Sequence, residues 1–247
     1  MKAPIEPGRL YGVGVGPGDP GLLTVRAREV LEEADVVAHF CKAGRRGIAR
    51  GIVDAALGAS RRELAMPYPF TTEVPLQVSR YAPVMEAFYD SCADQLANLL
   101  GERLSVAVIC EGDPFFYGSY LHLHRRLAHR VPTEVVAGVT GMSACWTRAG
   151  TPITSGDDVL TVVPGTLDQA SITQHLRHAD AAVVMKLGDN LPKVRAALDE
   201  LGLTERATYV ERGSMQGELI VPLTELPGGA KAPYFAMIIV AGREKTP

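Results

Sequence analysis

The chain has 247 residues, of which 47% are apolar, and it carries a formal net charge of −3. This length accommodates one large α/β domain or two of ordinary size, with enough apolar material for a substantial core. The net charge argues against a nucleic-acid protein whose binding rests on overall positive charge. No apolar run reaches the roughly 18 residues that a membrane-spanning helix needs, and the N-terminus shows no export signal, so we expect a cytoplasmic protein.

The four cysteines are scattered and form no C-x-x-C pair. They predict reduced thiols in a cytosolic protein, with neither a disulfide framework nor a zinc site. We therefore expect no bound metal.

A glycine- and proline-rich turn follows the first apolar strand and has the sequence Gly16-Pro17-Gly18-Asp19-Pro20-Gly21. Its letters match the dinucleotide-binding pattern G-x-G-x-x-G. However, Pro17 and Pro20 remove two backbone donors, and Asp19 adds a negative charge where a diphosphate would lie. The turn therefore predicts a ligand with little negative charge or with a positive one. A tight turn without a ligand is the alternative.

The first half of the chain alternates strands and helices. After the turn, Thr24 is a candidate N-cap, and the next strand completes a β-α-β unit, which implies a parallel pair with a right-handed crossover. Strands are expected over 35–40, 61–66 and 104–110, and helices over 48–57 and 82–100.

A second turn, at 111–118, repeats the logic of the first. Glu111-Gly112-Asp113-Pro114-Phe115-Phe116-Tyr117-Gly118 follows a buried strand and precedes a helix expected near Ser119. Two such turns at the carboxyl ends of parallel strands would lie at one sheet edge, where open α/β sheets bind ligands. The alternatives are that Asp113 caps a helix and that the aromatic residues only pack.

The second half predicts a mixed sheet. Strands are expected over 134–138, 158–163, 181–187, 207–211 and 234–240, and helices from 139 and over 167–177 and 191–201. The domain boundary is expected near 114–119, which gives an N-terminal α/β domain at 1–114 and a C-terminal α/β domain at 115–247.

Five segments resemble the tetrapyrrole (corrin/porphyrin) methyltransferase family. They are 14–24, 112–118, 138–141, 183–186 and 234–240, and the resemblance covers nearly the whole chain. It implies two α/β domains with a ligand cleft between them, S-adenosylmethionine as methyl donor, a tetrapyrrole as acceptor, and a homodimer. Segments 138–154 and 157–166 are most similar to the branch of cobalamin biosynthesis that methylates precorrin-2 at C20 to give precorrin-3A.

The resemblance also implies roles for individual residues. The implied cofactor-binding residues are Pro17, Glu111, Gly112, Asp113, Phe116, Thr140, Gly141, Met185 and Gly213. Among them, Glu111, Gly112 and Asp113 would line the methionine end of the cofactor. The uroporphyrinogen-III branch has an acidic residue where Phe40 stands here, so its acid–base role does not carry over.

The substrate that the resemblance implies is a polycarboxylate, which predicts basic groups in its binding site. The candidates for substrate binding are Arg45, Arg46, Arg148 and Tyr117, and a solvated surface is the alternative reading of the arginines. No catalytic residue is assigned. Tyr117, His39 and Glu111 remain open as the base that removes a proton after methyl transfer.

Other functions remain compatible with the sequence. The acceptor can be the cobalt-bearing form of the substrate, another corrin carbon, or a protein or RNA site. From a different class, a nicotinamide- or flavin-dependent oxidoreductase would use the turn at 16–21, and a tetrapyrrole carrier would bind without turnover.

Overall fold

A computed structural model describes residues 4–58, 62–70 and 81–242. The chain divides into two compact units, Met1–Thr140 and Gly141–Pro247. The predicted fold class, α/β with two α/β units, is confirmed.

The first unit is built on a parallel sheet. Its strands are β1 (Leu10–Gly14), β2 (Val36–Cys41), β3 (Arg62–Pro67), β4 (Val106–Cys110) and β5 (Thr133–Val136). Its helices are α1 (Val25–Glu33), α2 (Ile48–Leu57), α3 (Tyr81–Gly101) and α4 (Tyr120–Leu127). Strands β1 and β4 are buried along their whole length, as expected for a parallel sheet that is covered on both faces.

The strand order of this five-stranded sheet is β3-β2-β4-β1-β5. Strand β4 lies between β1 and β2 and pairs with both, so the expected direct pairing of β1 with β2 is wrong. A right-handed crossover fixes only the direction of the next strand in the sheet, and the most apolar strand occupies the centre. The connection from β1 leads to β2, on the β4 side of β1, whereas the connection from β4 leads past β1 to β5, in the opposite direction. A topological switch point, the usual ligand position in open α/β sheets, therefore lies between their carboxyl ends.

The second unit has a mixed sheet, as predicted. Its strands are β6 (Leu160–Pro164), β7 (Ala181–Met185), β8 (Ala207–Glu211), β9 (Leu219–Pro222) and β10 (Ala236–Val240). Its helices are α5 (Gly141–Arg148), α6 (Gln169–Leu176) and α7 (Leu191–Glu200). The order is β6-β7-β10-β8-β9, with only β6 and β7 parallel among the described pairs. Helices α6 and α7 cover one face, and α5 covers the other.

The observed boundary between the units differs from the expected boundary at 114/115. Helix α4 contributes Tyr120, Leu123 and Leu127 to the core around β4, and β5 pairs with β1. Both elements therefore belong to the first unit, which extends to Thr140. The turn that was expected to separate the domains lies inside the first one.

Across the part of the chain that the structure describes, no helix is both long and apolar enough to cross a membrane.

Candidate active site

Three glycines meet where β1, β4 and β5 end. A Cβ atom on Gly14 would lie 2.5 Å from the Gly112 carbonyl oxygen and 2.7 Å from the Gly138 Cα atom, and a Cβ on Gly138 would lie 2.0 Å from the Gly112 oxygen. These distances are far below any normal contact, so only glycine lets the three backbones approach this closely. The loops at the switch point therefore pack backbone against backbone, and we call these three residues the glycine junction.

The first turn is attached to this junction by its backbone. The Gly16 carbonyl accepts the Gly112 N–H at 2.8 Å, and Gly16 has a left-handed φ of +80°. The Asp19 carboxylate accepts the Gly21 N–H at 2.7 Å and so caps the short helical turn that follows. Pro17 is buried in the turn. The turn is thus held in one conformation, with a carboxylate at its tip.

Asp113 ties the second turn to the loop after β5. One carboxylate oxygen accepts the Phe115 N–H at 2.9 Å, and the other accepts the Gly138 N–H at 3.1 Å. Asp113 therefore caps its own turn, several residues before α4 begins, and the alternative reading of a helix cap is only partly right. The bonds also place a negative charge beside the glycine junction.

Glu111 closes the N-terminus of α2. Its Oε1 atom accepts the Ala49 N–H at 2.8 Å, whereas the N-cap residue Gly47 has no side chain to do so. Burial raises the pKa of the Glu111 carboxyl, and the bond from Ala49 offsets this only in part. Glu111 is thus a structural cap as well as a carboxylate at the switch point.

The aromatic end of the second turn is strained and open to solvent. Phe116 and Tyr117 meet edge to face with their centroids 5.0 Å apart. Tyr117 is 50% exposed and has a left-handed φ of 56°, which a residue with a Cβ adopts at a cost of about 1–3 kcal/mol. Such strain is typical of functional loops. Thr140, the last residue of the first unit, is half-buried.

The three predicted cofactor residues of the second unit lie around α5. Gly141 begins the helix, and a Cβ there would lie 3.0 Å from the Met237 Cε atom. A Cβ on Gly213 would lie 2.9 Å from the Cys145 sulfur. Met185 packs against the apolar cluster to which Cys145 belongs. Gly213 is needed for close packing, since the Cys145 backbone also lies within 3.4 Å of its Cβ position, whereas the flexible end of Met237 can move away from a Cβ on Gly141. The assignment of all three residues to a cofactor stays a prediction.

The three predicted arginines differ in their surroundings. Arg45 is exposed in the loop before α2. Arg46 pairs with Asp54 and with Glu63, the latter at 3.1 Å, and the Arg148 guanidinium binds Glu218 through contacts of 2.8–3.0 Å. Arg46 and Arg148 would have to exchange internal carboxylates for those of a substrate, so their binding role stays a prediction that the structure does not favour.

The candidate bases also separate. His39 is only 3% exposed, and its Nε2 atom lies 3.6 Å from the Glu63 carboxylate. Burial lowers the pKa of His39. Glu111 and Tyr117 remain at the switch point, whereas His39 is enclosed beneath α2.

The cysteines are unpaired and buried, and burial raises the pKa of the Cys110 and Cys145 thiols to about 12. Within the described ranges, no three His, Cys, Asp or Glu side chains are grouped as a metal ion would require.

A sequence profile of the tetrapyrrole (corrin/porphyrin) methylases matches residues 9–227. The chain belongs to this family. The predicted resemblance is therefore confirmed over most of the chain.

Curated relatives match over nearly the full length. A precorrin-2 C(20)-methyltransferase from Sinorhizobium sp. is 48% identical over 97% of this chain and 98% of that protein. A cobalt-precorrin-2 C(20)-methyltransferase from Salmonella typhimurium is 29% identical over 94% and 96%. The cobalamin biosynthesis protein CobIJ of Mycobacterium tuberculosis is 43% identical over 95% of this chain, which spans only 46% of that longer protein.

A solved structure shares the fold. The uroporphyrin-III C-methyl transferase from Thermus thermophilus complexed with S-adenyl homocysteine superposes with a TM-score of 0.64, over 94% of this chain and 92% of that chain, at 24% identity.

The glycine junction as a unit and the bonds of Asp113 were not predicted from the sequence. Glycine at or just beyond the ends of three strands was the available signal, but the strand order that brings these ends together was not known.

Proposed function

We propose that the protein is an S-adenosylmethionine-dependent C-methyltransferase of cobalamin biosynthesis that methylates precorrin-2 at C20 to give precorrin-3A. The end-to-end similarity to the Sinorhizobium precorrin-2 C(20)-methyltransferase carries the proposal. The relatives named for precorrin-2 and for cobalt-precorrin-2 both act at C20, which supports the same acceptor carbon here.

The charges at the switch point fit a sulfonium cofactor. When bound, S-adenosylmethionine supplies a methyl group on a positively charged sulfur. The Asp113 carboxylate lies beside the glycine junction, where it accepts the Gly138 N–H, and Asp19 and Glu111 are carried by the two turns that follow β1 and β4. Carboxylates on these turns favour a cation and disfavour a diphosphate. The first turn, at 16–21, also lacks two backbone N–H donors for a diphosphate, because Pro17 and Pro20 have none. The residues present therefore fit S-adenosylmethionine better than a nicotinamide dinucleotide.

The acceptor carbon needs little activation by the protein. C20 bridges two rings of an electron-rich reduced macrocycle, so the pyrrole nitrogens donate electron density to it. The protein's part is to align the two reactants and to exclude water, which contributes up to about 7–11 kcal/mol in well-oriented reactions. Glu111 and Tyr117 are the candidates to accept the proton that C20 loses, since His39 is enclosed.

The experiment mixes the purified protein anaerobically with S-adenosylmethionine and either metal-free precorrin-2 or its cobalt complex. We expect one added methyl group on the metal-free acceptor by mass spectrometry, and carbon-13 NMR with a labelled methyl should place it at C20. Faster turnover of the cobalt complex would favour the Salmonella-type activity. Absence of a methyl gain with both acceptors would refute the proposal.

A binding experiment separates the enzyme classes. Calorimetric titration should detect S-adenosylhomocysteine and no binding of NAD⁺ or NADP⁺. Tight dinucleotide binding without a response to S-adenosylhomocysteine would favour the oxidoreductase, and substrate binding without turnover would favour the carrier.

A homodimer and a cytoplasmic location are further parts of the proposal. The family resemblance supports the dimer. Light scattering of the purified protein should give twice the mass of one chain, and a monomer at assay concentration would contradict it.

A further inference from the structure

We propose that Arg148 and Glu218 form a clamp that positions the loop carrying Gly213, so that Arg148 acts on cofactor binding and does not bind a substrate carboxylate. Arg148 is then a positioning residue. The inference rests on the proposed function for the cofactor and for its predicted contact with Gly213, whereas the clamp itself is defined by contacts within the second unit.

The loop at 212–218, which we call the Gly213 loop, follows β8 and leads into β9. Its backbone is strained, since Arg212 and Ser214 have left-handed φ values of 49° and 67°. Each such residue costs about 1–3 kcal/mol and persists only where its surroundings hold it. The loop therefore needs further contacts to keep its conformation.

Glu218 supplies the central contact. One of its carboxylate oxygens accepts the Ser214 N–H at 2.6 Å, which fixes the strained residue next to Gly213. The same carboxylate receives the Arg148 guanidinium, with Nε at 3.0 and 2.9 Å from its two oxygens and Nη2 at 2.8 Å. A bidentate pair of this kind fixes the orientation of the carboxylate as well as its position. Arg148 thus sets the plane of the group that holds Ser214.

Helix α5 contacts the loop at a second point. Cys145 lies one turn before Arg148 on the same face of α5, and its sulfur would be 2.9 Å from a Cβ on Gly213. Gly141, at the start of α5, is another predicted cofactor residue. The helix therefore connects its own N-terminus to the Gly213 loop, through packing at Cys145 and through the clamp at Arg148.

The charges of Arg148 and Glu218 neutralise each other within the protein. Glu218 is 17% exposed and its pKa is lowered, first by the Arg148 bonds. Because Glu218 neutralises the guanidinium, a substrate carboxylate would have to displace an already ordered partner. An arginine held in this way is better suited to shape a loop than to bind a polyanion.

The test compares Arg148→Ala, Arg148→Lys and Glu218→Gln with the parent. Arg148→Ala should raise the dissociation constant of S-adenosylhomocysteine about tenfold, because the Gly213 loop loses the contact that orients Glu218. The KM of the tetrapyrrole should stay within about twofold of the parent value, because the substitution removes no contact to the substrate. Arg148→Lys keeps the charge but loses the bidentate geometry. Its dissociation constant for S-adenosylhomocysteine should lie between those of the parent and Arg148→Ala. The double variant Arg148→Ala, Glu218→Gln should bind S-adenosylhomocysteine no more weakly than the weaker single variant.

Arg177→Ala is the matched control, because Arg177 is an exposed arginine of the same unit and is the C-cap residue after α6. It should change neither constant. If Arg148→Ala instead raises the tetrapyrrole KM tenfold and leaves S-adenosylhomocysteine binding unchanged, Arg148 is a substrate-binding residue and the clamp proposal is wrong.

Amide hydrogen exchange separates this proposal from the proposed function. The Ser214 N–H should exchange at least about tenfold faster in Arg148→Ala than in the parent, whatever the cofactor is. Unchanged exchange would overturn the clamp. A parent protein that does not bind S-adenosylhomocysteine would overturn the proposed function and leave the exchange result to decide the clamp.

Discussion

At Gly138 a single added methyl group has no space. Its Cβ would lie 2.0 Å from the Gly112 carbonyl oxygen and 2.8 Å from the Gly14 Cα atom. Both contacted atoms belong to the backbone and cannot rotate away. We predict that Gly138→Ala lowers the free energy of unfolding by about 3 kcal/mol or more, because the loops after β4 and β5 must separate. Urea unfolding followed by circular dichroism measures the change.

Gly51→Ala is the control for that substitution. Gly51 is exposed within α2, where a Cβ meets nothing within 4 Å. Alanine there should stabilise the protein by up to about 1 kcal/mol through helix propensity. If the two variants change stability equally, the glycine junction does not have the packing described.

Asp113 allows a prediction about ligand binding. Asp113→Ala removes the acceptors for the Phe115 and Gly138 N–H groups and so releases the second turn from the loop after β5. We expect the dissociation constant of S-adenosylhomocysteine to rise about tenfold, with a smaller effect on the tetrapyrrole KM. Calorimetry and steady-state kinetics measure the two effects.

Asp168→Ala is the matched control, since Asp168 caps α6 through the Ser171 N–H at 2.8 Å, in the other unit. It should cost stability without weakening S-adenosylhomocysteine binding. Equal affinities for Asp113→Ala and the parent would count against placing the cofactor at the switch point.

His39 gives the protein a pH-dependent stability. Burial lowers its pKa, although Glu63 faces its Nε2 atom at 3.6 Å and opposes the shift, while the Arg50 and Arg46 cations add to it. The unfolded state therefore binds a proton more readily than the folded state. The free energy of unfolding therefore keeps the full contribution of neutral His39 above the ordinary histidine pKa near 6.5. It falls as the pH decreases below that value, by up to about 1.4 kcal/mol per pH unit.

His39→Gln tests this shift. The variant should lose part of the dependence between pH 6.5 and 5, whereas His129→Gln, which changes an exposed histidine, should keep it. The Asp54 and Glu63 carboxyls, whose pKa values are lowered, change the free energy of unfolding only at lower pH. Their stabilising contribution is lost as the pH falls below about 4.5. Identical pH profiles for both variants would show that His39 does not titrate as described.

Residue types were easier to predict than their partners. The acid at 113 and the glycine at 138 were both recognised as parts of motifs, but the bond between them joins residues 25 positions apart. Glu218 gave no signal at all, because its role depends on where Arg148 lies in the folded unit. Local patterns identify chemistry, whereas tertiary contacts determine which groups meet.

Among the elements, α2 depends on a carboxylate from another strand. Glu111→Ala leaves the Ala49 N–H without its acceptor and should lower the free energy of unfolding by about 1–2 kcal/mol. Glu111→Gln keeps an acceptor oxygen. Because the raised pKa makes the folded state bind its proton more tightly, parental stability falls as the pH rises from about 4.5.

The glutamine variant lacks that loss, so we expect it to match or exceed the parent at pH 8. Urea unfolding at pH 5 and pH 8 measures both substitutions, and Glu102→Gln, at an exposed carboxylate after α3, serves as the control. A glutamine variant as unstable as the alanine variant would contradict the capping role.

Element positions followed the sequence closely, and their arrangement did not. Thr24 accepts the Ala27 N–H at 3.2 Å and begins α1 as predicted, because capping is local. Strand β9 was missed, since four partly exposed residues at a sheet edge give no run of buried apolar residues. The insertion of β4 between β1 and β2 was also missed, because pairing energies are distributed over distant segments.

For the whole molecule, the boundary at Thr140/Gly141 has an energetic meaning. The first unit has apolar clusters on both faces of its sheet, around Leu96 and Val108 on one face and around Val37 and Ile109 on the other. The second unit likewise has one cluster under α6 and α7 and another under α5. Each unit thus buries its own apolar side chains, which is the property of an independent domain.

We therefore predict that a fragment of residues 141–247 folds alone. Trp146, the only tryptophan of the chain, packs on the cluster under α5 and reports its integrity. The fragment should show a cooperative urea transition with the native Trp146 emission of the full chain at low urea. Its urea m-value should be lower than that of the full chain, because less surface is exposed on unfolding.

A fragment of residues 115–247, cut at the boundary that the sequence predicted, is the informative comparison. It carries α4 and β5 without the strand β1 that pairs with β5, so the apolar residues of α4 have no core to enter. We expect it to aggregate or to show the same transition as the shorter fragment, with the extra segment unfolded. If instead the shorter fragment has the red-shifted emission of unfolded protein without urea, while the longer one folds, the boundary at residue 140 is wrong and α4 and β5 stabilise the second unit.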